Sequence, residues 1–282
     1  MDIQEASEKF SAAIAKISSS PELDTQILIA AVIGRNRAFV LAHPKYELTG
    51  KEALRLGKHL KKRLSGYPVA YITGHKEFMG LDFLVNKHVL VPRPETEMMV
   101  EITMTSLPVF QEKILVLDIG TGSGAIITSL AKKLENKENI CFVASDISRK
   151  ALRTAKRNIR IHEVRVKLYH RNLLSQFPWR RYRDCQHLVI CANLPYISPE
   201  EYVNLETIKC EPKKALISRD KGLDHYRRLS RQLAAIPNNF QTIKAYFEIS
   251  PWQEKMMIND IFPNSQPIAD LSGRTRFIKI DR

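Results

Sequence analysis

The sequence lacks any apolar run that approaches the about 20 residues a membrane-spanning helix requires. Its first residues, Met-Asp-Ile-Gln-Glu, also lack the basic and apolar segments of a secretory signal. We therefore expect a cytoplasmic protein that has no contact with a membrane. The chain has 282 residues, which is enough for one large domain and one small domain, and its 44% apolar content is ordinary for a globular protein.

The four cysteines form no Cys-x-x-Cys pair, and three of them lie in or beside apolar runs. A chain of this length needs no disulfide, so we expect reduced and buried thiols. The eight histidines form no His-x-x-x-His or similar pair, so the pattern predicts no metal site. Nothing in the sequence requires a dimer, and a monomer is expected.

Acidic residues are too few to balance the basic ones: 30 Asp and Glu stand against 44 Lys and Arg, for a net charge of +14. Twelve basic residues and one acid, Glu163, fall between Arg149 and Arg183. Many of these charges recur at helical spacing opposite an apolar face. This segment is either a solvated helix face or an electrostatic surface that lies close to nucleic acid or the ribosome. Aromatic residues are not interleaved with the charges at helical spacing, which argues against a dedicated RNA-binding strip.

The hydrophobic pattern divides the chain into three parts. Residues 1–73 show helical periodicity, broken at glycine and proline, and are predicted to form a small helical domain without catalytic residues. Residues 74–90 are predicted to form a β-hairpin linker with its turn at Gly80. Residues 91–282 are predicted to form the larger domain.

Strand-like and helix-like segments alternate through the larger domain. Apolar runs at residues 114–117, 140–144, 166–169, 187–192 and 243–249 are predicted strands, and helical patterns lie between the earlier ones. This order predicts an α/β fold with a doubly wound, mainly parallel sheet. Ligands of such sheets bind at the carboxyl ends of the strands, near the point where strand order reverses.

A glycine-rich turn, Asp118-Ile-Gly-Thr-Gly-Ser-Gly124, follows the first predicted strand of this domain. Nicotinamide, flavin and S-adenosylmethionine proteins all use such turns to bring backbone N–H groups close to a ligand. Asp146 ends the next strand, where a carboxylate can accept the ribose hydroxyls of an adenosine, although it is also placed to cap the helix that follows Ser148. The charge of Asp118 would repel a pyrophosphate and attract a sulfonium or an amino group, which favours a methyl donor.

A second turn, Asn193-Leu194-Pro195-Tyr196, follows the predicted strand 187–192. An amide nitrogen is a weak nucleophile because its lone pair is delocalised, so a site that methylates it must orient it. The Asn193 side-chain carbonyl and the Leu194 backbone carbonyl can each accept one N–H of a planar substrate, which directs the nitrogen at the methyl donor. Pro195 stiffens the turn, and Tyr196 offers a flat surface to the substrate.

With these motifs the chain resembles the release factor glutamine methyltransferases of the HemK or PrmC type. The resemblance spans nearly the whole sequence, and it includes motifs outside the two turns. These motifs are Leu41-Ala-His-Pro44, Gly66-Tyr-Pro-Val-Ala-Tyr-Ile72, Glu77-Phe-Met-Gly-Leu-Asp-Phe83, Val91-Pro-Arg-Pro-Glu-Thr-Glu97, Asp146-Ile-Ser148, Glu211-Pro212, Gly222-Leu-Asp-His-Tyr226, Glu248-Ile249, Gln253 and Asp270-Leu-Ser-Gly-Arg-Thr-Arg276.

The resemblance implies a Rossmann-like class I methyltransferase that uses S-adenosylmethionine and leaves S-adenosylhomocysteine. Its substrate would be the glutamine of the Gly-Gly-Gln motif in class I peptide chain release factors, whose methylation tunes translation termination. The helical domain would bind the body of the release factor. Asn193 and Tyr196 would be catalytic, and Asn193 to Tyr196, with Leu194 and Pro195, would hold the substrate. The implied cofactor-binding residues are Glu95, Thr96, Gly120, Thr121, Gly122, Ser123, Gly124, Asp146, Asn172, Leu173 and Asn193.

Two positions depart from the pattern of this family. Leu194 stands where the first proline of Asn-Pro-Pro-Tyr is usual, so its carbonyl is kept but the preset backbone angle is lost. Asn172 stands where an aspartate is common, so it can accept a hydrogen bond from an adenine amino group with less charge assistance.

Two other functions fit parts of the sequence. Enzymes that methylate the exocyclic amine of adenine in DNA or RNA share the Asn-Pro-Pro-aromatic motif, and the basic segment would then bind the backbone of the flipped substrate. No target-recognition domain is evident, which argues against this reading. A nucleotide-binding or assembly protein without turnover is the third reading, and the intact Asn193 and Asp146 argue against it.

Overall fold

A computed structural model describes residues 1–107, 111–205 and 208–282. The chain forms two compact units. The first comprises Met1–His75 and Leu205–Cys210, and the second comprises Lys76–Asn204 and Glu211–Arg282. None of the helices described is both long and apolar enough to cross a bilayer.

The first unit is helical. Its helices are α1 (Ile3–Ile14), α2 (Pro21–Ile33), α3 (Arg37–Ala42), α4 (Gly50–Leu64) and α5 (Val69–Thr73). Their apolar faces pack around buried Ile29 and Leu56. Side chains satisfy the free N–H groups at two helix starts, since Asp2 and Glu5 form a capping box on α1, and Thr49 and Glu52 form one on α4.

A β-hairpin packs against the second unit, and its aromatic side chains are part of the core of that unit. Strands β1 (His75–Phe78) and β2 (Leu81–Leu84) are joined by Met79 and Gly80, both at positive φ. Phe78 and Phe83 are fully buried in one face of the large sheet's core. The Asn158 side chain accepts from the Leu84 N–H at 2.9 Å and donates to the Leu84 carbonyl at 3.0 Å. The segment predicted as a linker is therefore packed against a helix of the second unit.

Seven strands of the described residues form one large sheet, in the order β5-β4-β3-β6-β7-β9-β8. The strands are β3 (Ile114–Ile119), β4 (Ile140–Asp146), β5 (Lys167–His170), β6 (His187–Ala192), β7 (Thr242–Glu248), β8 (Gln266–Ala269) and β9 (Thr275–Asp281). Strands β3 to β7 are parallel, which confirms the predicted fold class. Strands β8 and β9 are antiparallel additions that the sequence pattern did not predict.

The order of the strands reverses between β3 and β6. These two strands are direct neighbours, with Ile119 paired to Ala192 at their carboxyl ends. The glycine-rich turn and the Asn193 turn therefore leave the sheet side by side. Strand β7 lies next to β6, with Phe247 paired to Ala192, so the residue that ends β7, Glu248, reaches the same edge.

Helices cover both faces of the sheet. Side chains of α6 and α7 pack in one core cluster, and side chains of α11 pack in the other. The helices described in this unit are α6 (Glu97–Ser106), α7 (Ala125–Lys133), α8 (Arg149–Ile161), α9 (Pro199–Asn204), α10 (Arg219–Gly222), α11 (Asp224–Leu233) and α12 (Glu254–Met256). The pattern after the glycine turn predicts a helix from Ser123 to Leu134, but α7 begins at Ala125, because Gly122 and Gly124 have φ of +56° and +81°, outside the helical range. Ser148 caps α8 by accepting the Ala151 N–H.

All four cysteines are free thiols, but the expectation that they are buried is wrong for Cys141, which is exposed. Cys141 is the second residue of β4, and burial in that strand becomes continuous only from Val143. Cys210 is half-buried, and only Cys185 and Cys191 lie in the core.

Candidate active site

A cavity of about 640 Å³ lies at the carboxyl edge of β3, β4 and β6. Eleven of the residues that the sequence and its resemblance single out line it. They are Thr96, Gly120, Thr121, Gly122, Ser123, Asp146, Asn172, Leu173, Asn193, Leu194 and Pro195. Three others, Gly124, Glu95 and Tyr196, do not line it.

The glycine turn wraps around the end of β4. The N–H groups of Gly120 and Thr121 both donate to the Ser145 carbonyl, at 2.8 and 3.0 Å. Gly120 has φ +76°, and a methyl group there would lie 3.0 Å from Cδ2 of Leu194. The turn thus requires glycine both for its backbone angle and for the close approach of the neighbouring turn.

Gly124 packs between helices instead of lining the cavity. A methyl group at this position would lie 3.1 Å from Cβ of Ala155 in α8 and 3.4 Å from the Thr128 hydroxyl. Gly124 is absent from the cavity lining because it directly precedes α7 and packs against α8.

Two carboxylates support the glycine turn. Asp118 is fully buried and accepts the Thr121 hydroxyl at 2.6 Å. Burial raises its pKa to about 7, and the nearby charge of Asp146 adds to this. Asp146 accepts the Gly122 N–H at 2.9 Å and the Ser148 N–H at 2.7 Å, and burial raises its pKa as well. Asp146 therefore braces the turn and α8 while lining the cavity.

Asn193 belongs to a closed triangle of hydrogen bonds. Its Nδ2 donates to Oε2 of Glu248 at 2.8 Å and to Oγ1 of Thr96 at 3.1 Å. The Thr96 hydroxyl donates to the same Glu248 oxygen at 2.7 Å. Glu248 is 1% exposed, and burial raises its pKa to about 7. The side chain of Asn193 is thus held through its nitrogen, and neither Glu248 nor Thr96 bonds its Oδ1.

Leu194 is held by a tyrosine from α11. The hydroxyl of Tyr226, a fully buried side chain, donates to the carbonyl of Glu248 and also hydrogen-bonds the backbone of Leu194. Since the hydroxyl proton is used on Glu248, the second bond must come from the Leu194 N–H. A proline at position 194 would have no N–H to offer.

Tyr196 lies beyond the cavity because the chain turns away after Pro195, and Ile197 forms a β-bridge with Ile217. The carbonyl of Tyr196 lies against Gly222, where a methyl group would come within 2.0 Å of it. Gln253, fully buried, donates to the carbonyls of Gly222 at 3.2 Å and Tyr196 at 3.5 Å. Burial raises the pKa of Tyr196 to about 12, so its hydroxyl stays protonated.

The segment before α6 contributes Thr96 and Arg93 to the cavity, but not Glu95. Successive residues of the short 3₁₀ turn Pro94–Thr96 point in different directions. Thr96 is buried and faces the cavity, whereas Glu95 is exposed to solvent. Arg93 is fixed by an ion pair with buried Glu211, whose other oxygen accepts the Val91 N–H at 3.1 Å.

Sequence reasoning gave no role to Glu248, Tyr226, Gly222 or Gln253, although all four occur in the motifs of the resemblance. A usable signal exists for Glu248, because it is an acid at the end of a predicted strand, as Asp118 and Asp146 are. The other three support the site from segments far along the chain, which no local spacing reveals.

The comparison with known proteins first defines the class. A family model described as a methyltransferase domain matches residues 116–208. The structure is similar to the hMettl16 catalytic domain in complex with a 3′UTR hairpin, with a TM-score of 0.53, 12% identity and 90% of both chains covered. That likeness bears on the fold alone, and together with the domain match it defines a methyltransferase of the α/β type.

The relatives then define the family. A model described as the PrmC N-terminal domain matches residues 3–74. The release factor glutamine methyltransferase of Bacillus anthracis is 36% identical over 265 residues, which cover 90% of each chain. The enzyme of the same name from Coxiella burnetii is 36% identical over 224 residues, covering 79% of this chain and 77% of that one. The chain belongs to the release factor glutamine methyltransferase family.

Proposed function

We propose that this protein transfers a methyl group from S-adenosylmethionine to the side-chain amide nitrogen of the glutamine in the Gly-Gly-Gln motif of class I release factors. The observation that carries this proposal is the Asn193 triangle beside the glycine turn, because the amide oxygen, which neither Glu248 nor Thr96 engages, lies at the edge of a cavity large enough for a cofactor and a side chain. A role in translation termination follows from such a substrate, and so does a cytoplasmic location.

The residues around the glycine turn suit a cationic cofactor. Asp118 and Asp146 are two buried carboxylates. Burial destabilises the ionised form of both, and the charge of Asp146 further destabilises that of Asp118. A positively charged sulfonium or α-amino group nearby would stabilise the two ionised carboxylates, whereas a pyrophosphate would destabilise them further. Gly120 to Ser123 would border the methionine portion, Asp146 the ribose, and Asn172 with Leu173 the adenine. Thr96 would lie close to the transferred methyl group.

The substrate amide would be oriented by two acceptors. The cofactor supplies a methyl group bound to a positively charged sulfur. Oδ1 of Asn193 and the carbonyl of Leu194 would accept the two N–H groups of glutamine, so that the nitrogen lone pair faces the methyl carbon. As the nitrogen–carbon bond forms, the carbon–sulfur bond breaks, and the amide proton is then lost to water. No strong general base is needed, and Tyr196, kept neutral by burial, would pack near the substrate.

The experiment combines the full-length protein and a labelled methyl donor with either a class I release factor or nucleic acid. We expect label on the Gly-Gly-Gln glutamine, and its loss in Asn193→Ala. Label on nucleic acid alone would favour the adenine methyltransferase and contradict the proposal. Donor binding without transfer to either substrate would indicate a binding protein.

We further propose that the helical residues 1–73 bind the body of the release factor. Leu54 of α4 is 63% exposed and is available for such a contact. The substitution Leu54→Glu is expected to raise KM for the whole factor and to leave KM for a Gly-Gly-Gln peptide unchanged. Leu271→Glu is the matched control, because Leu271 is fully exposed but belongs to the second unit. Equal effects of the two substitutions would contradict this role.

The basic face of α8 supports a weaker, separate contact with nucleic acid or the ribosome. Six of its basic side chains are exposed, and none forms an ion pair within the described ranges. They are Arg149, Lys150, Arg153, Lys156, Arg157 and Arg160. Binding to RNA should weaken steeply with salt, and charge removal at Arg153, Lys156 and Arg157 should flatten that dependence. Unchanged salt dependence would mean a solvated face only.

A further inference from the structure

We propose that Glu248 is a positioning residue that decides which end of the Asn193 amide faces the substrate. This inference rests on the proposed function and deepens it. Glu248 lines no part of the cavity within the described residues, so it acts through Asn193 and not on the glutamine itself.

The two ends of an asparagine amide have nearly the same shape but opposite hydrogen-bonding capacity. Only Oδ1 can accept the substrate N–H. If the Asn193 amide were turned over by 180°, its NH₂ group would face the N–H groups of the substrate, and neither could accept a hydrogen bond from the other. The site therefore needs a partner that distinguishes oxygen from nitrogen.

An ionised carboxylate makes that distinction because it only accepts hydrogen bonds. Oε2 of Glu248 lies 2.8 Å from Nδ2 of Asn193. In the reversed orientation an amide oxygen would face this carboxylate oxygen at similar distance, and two acceptors would repel each other.

Thr96 completes the selection. Its one hydroxyl proton is donated to Glu248 at 2.7 Å, so its oxygen can only accept from Asn193, which lies at 3.1 Å. The amide nitrogen of Asn193 is then directed at Glu248 and Thr96, and Oδ1 is left for the cavity.

Protonation of Glu248 would remove the selection, because a carboxylic acid can donate to Oδ1 and so stabilise the reversed amide. Arg276 and Arg93 face Glu248 and favour its ionised form, whereas burial and the charge of Glu95 oppose it, leaving a pKa of about 7. The phenols of Tyr196 and Tyr226 also lie near this carboxylate, and both remain neutral.

The test measures methyl transfer to a release factor from pH 6 to pH 9 in the full-length protein and its variants. For Glu248→Gln we expect kcat to fall about tenfold or more, with KM for the donor unchanged and the loss of activity below about pH 7 abolished. Thr96→Val, which removes the hydroxyl that donates to Glu248, should resemble Glu248→Gln. Asp260→Asn, an exposed acid of the same unit, is the control.

A double substitution separates positioning from a general structural effect. If Glu248 acts through Asn193, the pair Glu248→Gln with Asn193→Ala is no slower than Asn193→Ala alone. Multiplied losses, or a Glu248→Gln enzyme with the wild-type kcat and pH profile, would overturn the proposal.

A second readout does not depend on turnover. The ¹⁵N side-chain amide resonances of Asn193 should shift as the pH passes through about 7 in the wild-type protein and stay constant in Glu248→Gln. If no release factor is methylated but this shift is seen, the proposed function fails while the role of Glu248 stands. A wild-type resonance that does not respond to pH contradicts that role.

Discussion

The two turns at the edge of the sheet are built in opposite ways. The glycine turn after β3 owes its path to its own residues, since Gly120, Gly122 and Gly124 all have positive φ. In the Asn193 turn after β6, none of residues 193–196 has a positive φ. The position of this turn depends on residues from other segments of the chain. Thr96, Glu248, Tyr226, Gly222 and Gln253 hold it by hydrogen bonds and close packing.

This difference shows how the two turns beside the cavity are encoded. The path of the first turn depends on a few closely spaced glycines, so it is specified locally. The position of the second turn depends on donors and acceptors from three other segments of the chain, at Thr96, at residues 222–226 and at residues 248–253. Changes far from the turn should therefore affect the Asn193 side more than the glycine side.

The largest expected effect is a pH dependence that both sides share. Asp118 and Glu248 each have a folded-state pKa of about 7, above the unfolded values of 3.8 and 4.5. Folding favours their protonated forms, so the contribution of these two groups to the free energy of unfolding is fully present below about pH 4 and is lost as the pH rises through 7, by up to about 4 kcal/mol for Asp118.

Denaturant unfolding at several pH values checks this prediction. Asp118→Asn and Glu248→Gln should each remove part of the fall, and Asp118→Asn should remove more because its shift is larger. A wild-type protein that gains stability between pH 5 and 8 relative to both variants would contradict it.

Gly222→Ala should damage the Asn193 side almost as strongly. A methyl group at Gly222 would come within 2.0 Å of the Tyr196 carbonyl and 2.8 Å of the Gln253 amide, so the turn must move. We expect a loss of about 3 kcal/mol in unfolding free energy and a loss of methyl transfer with the donor still bound. Gly273→Ala is the matched control, because Gly273 has φ +78° with nothing within 4 Å. Similar losses in both variants would mean that only backbone strain matters.

Tyr226→Phe should have a smaller effect on the same side. The change leaves the Leu194 N–H and the Glu248 carbonyl without their partner, at a cost of about 1–3 kcal/mol and a lower kcat. In a Leu194→Pro background the N–H is already absent, so the same change should cost less. A thermodynamic cycle from denaturant unfolding measures the coupling, and strict additivity would rule out the hydrogen bond between the two residues.

The smallest effects are expected in the glycine turn, where they should separate by position. Gly124→Ala meets Ala155 at 3.1 Å and should cost about 1–2 kcal/mol of stability. Gly122→Ala has only the Gly120 carbonyl, at 3.9 Å, near it, but it lines the cavity and should weaken donor binding more than Gly124→Ala. Calorimetric binding and thermal unfolding of both variants test the distinction, and the reverse ranking would contradict it.

The sequence predicted what depends on local pattern. The parallel strands, α8 and its cap, the hairpin turn at Gly80 and the glycine turn all follow from periodicity and turn chemistry over short windows. The antiparallel strands β8 and β9 were not predicted, because neither segment shows a clear alternation of apolar and polar residues. In the site, the family resemblance implied roles for Gly124, Glu95 and Tyr196, but these three residues do not line the cavity. Adjacency in sequence does not fix the direction of a side chain, and packing against Ala155, the 3₁₀ turn and Gly222 decided those directions.

The leucine at position 194 has one more consequence. Because it keeps the peptide N–H that a proline lacks, this chain carries a hydrogen-exchange reporter inside the Asn193 turn. Deuterium uptake at that single amide would measure how often the turn opens in solution. It could be followed with the methyl donor alone, with a release factor alone and with both, at a position where a proline would give no signal.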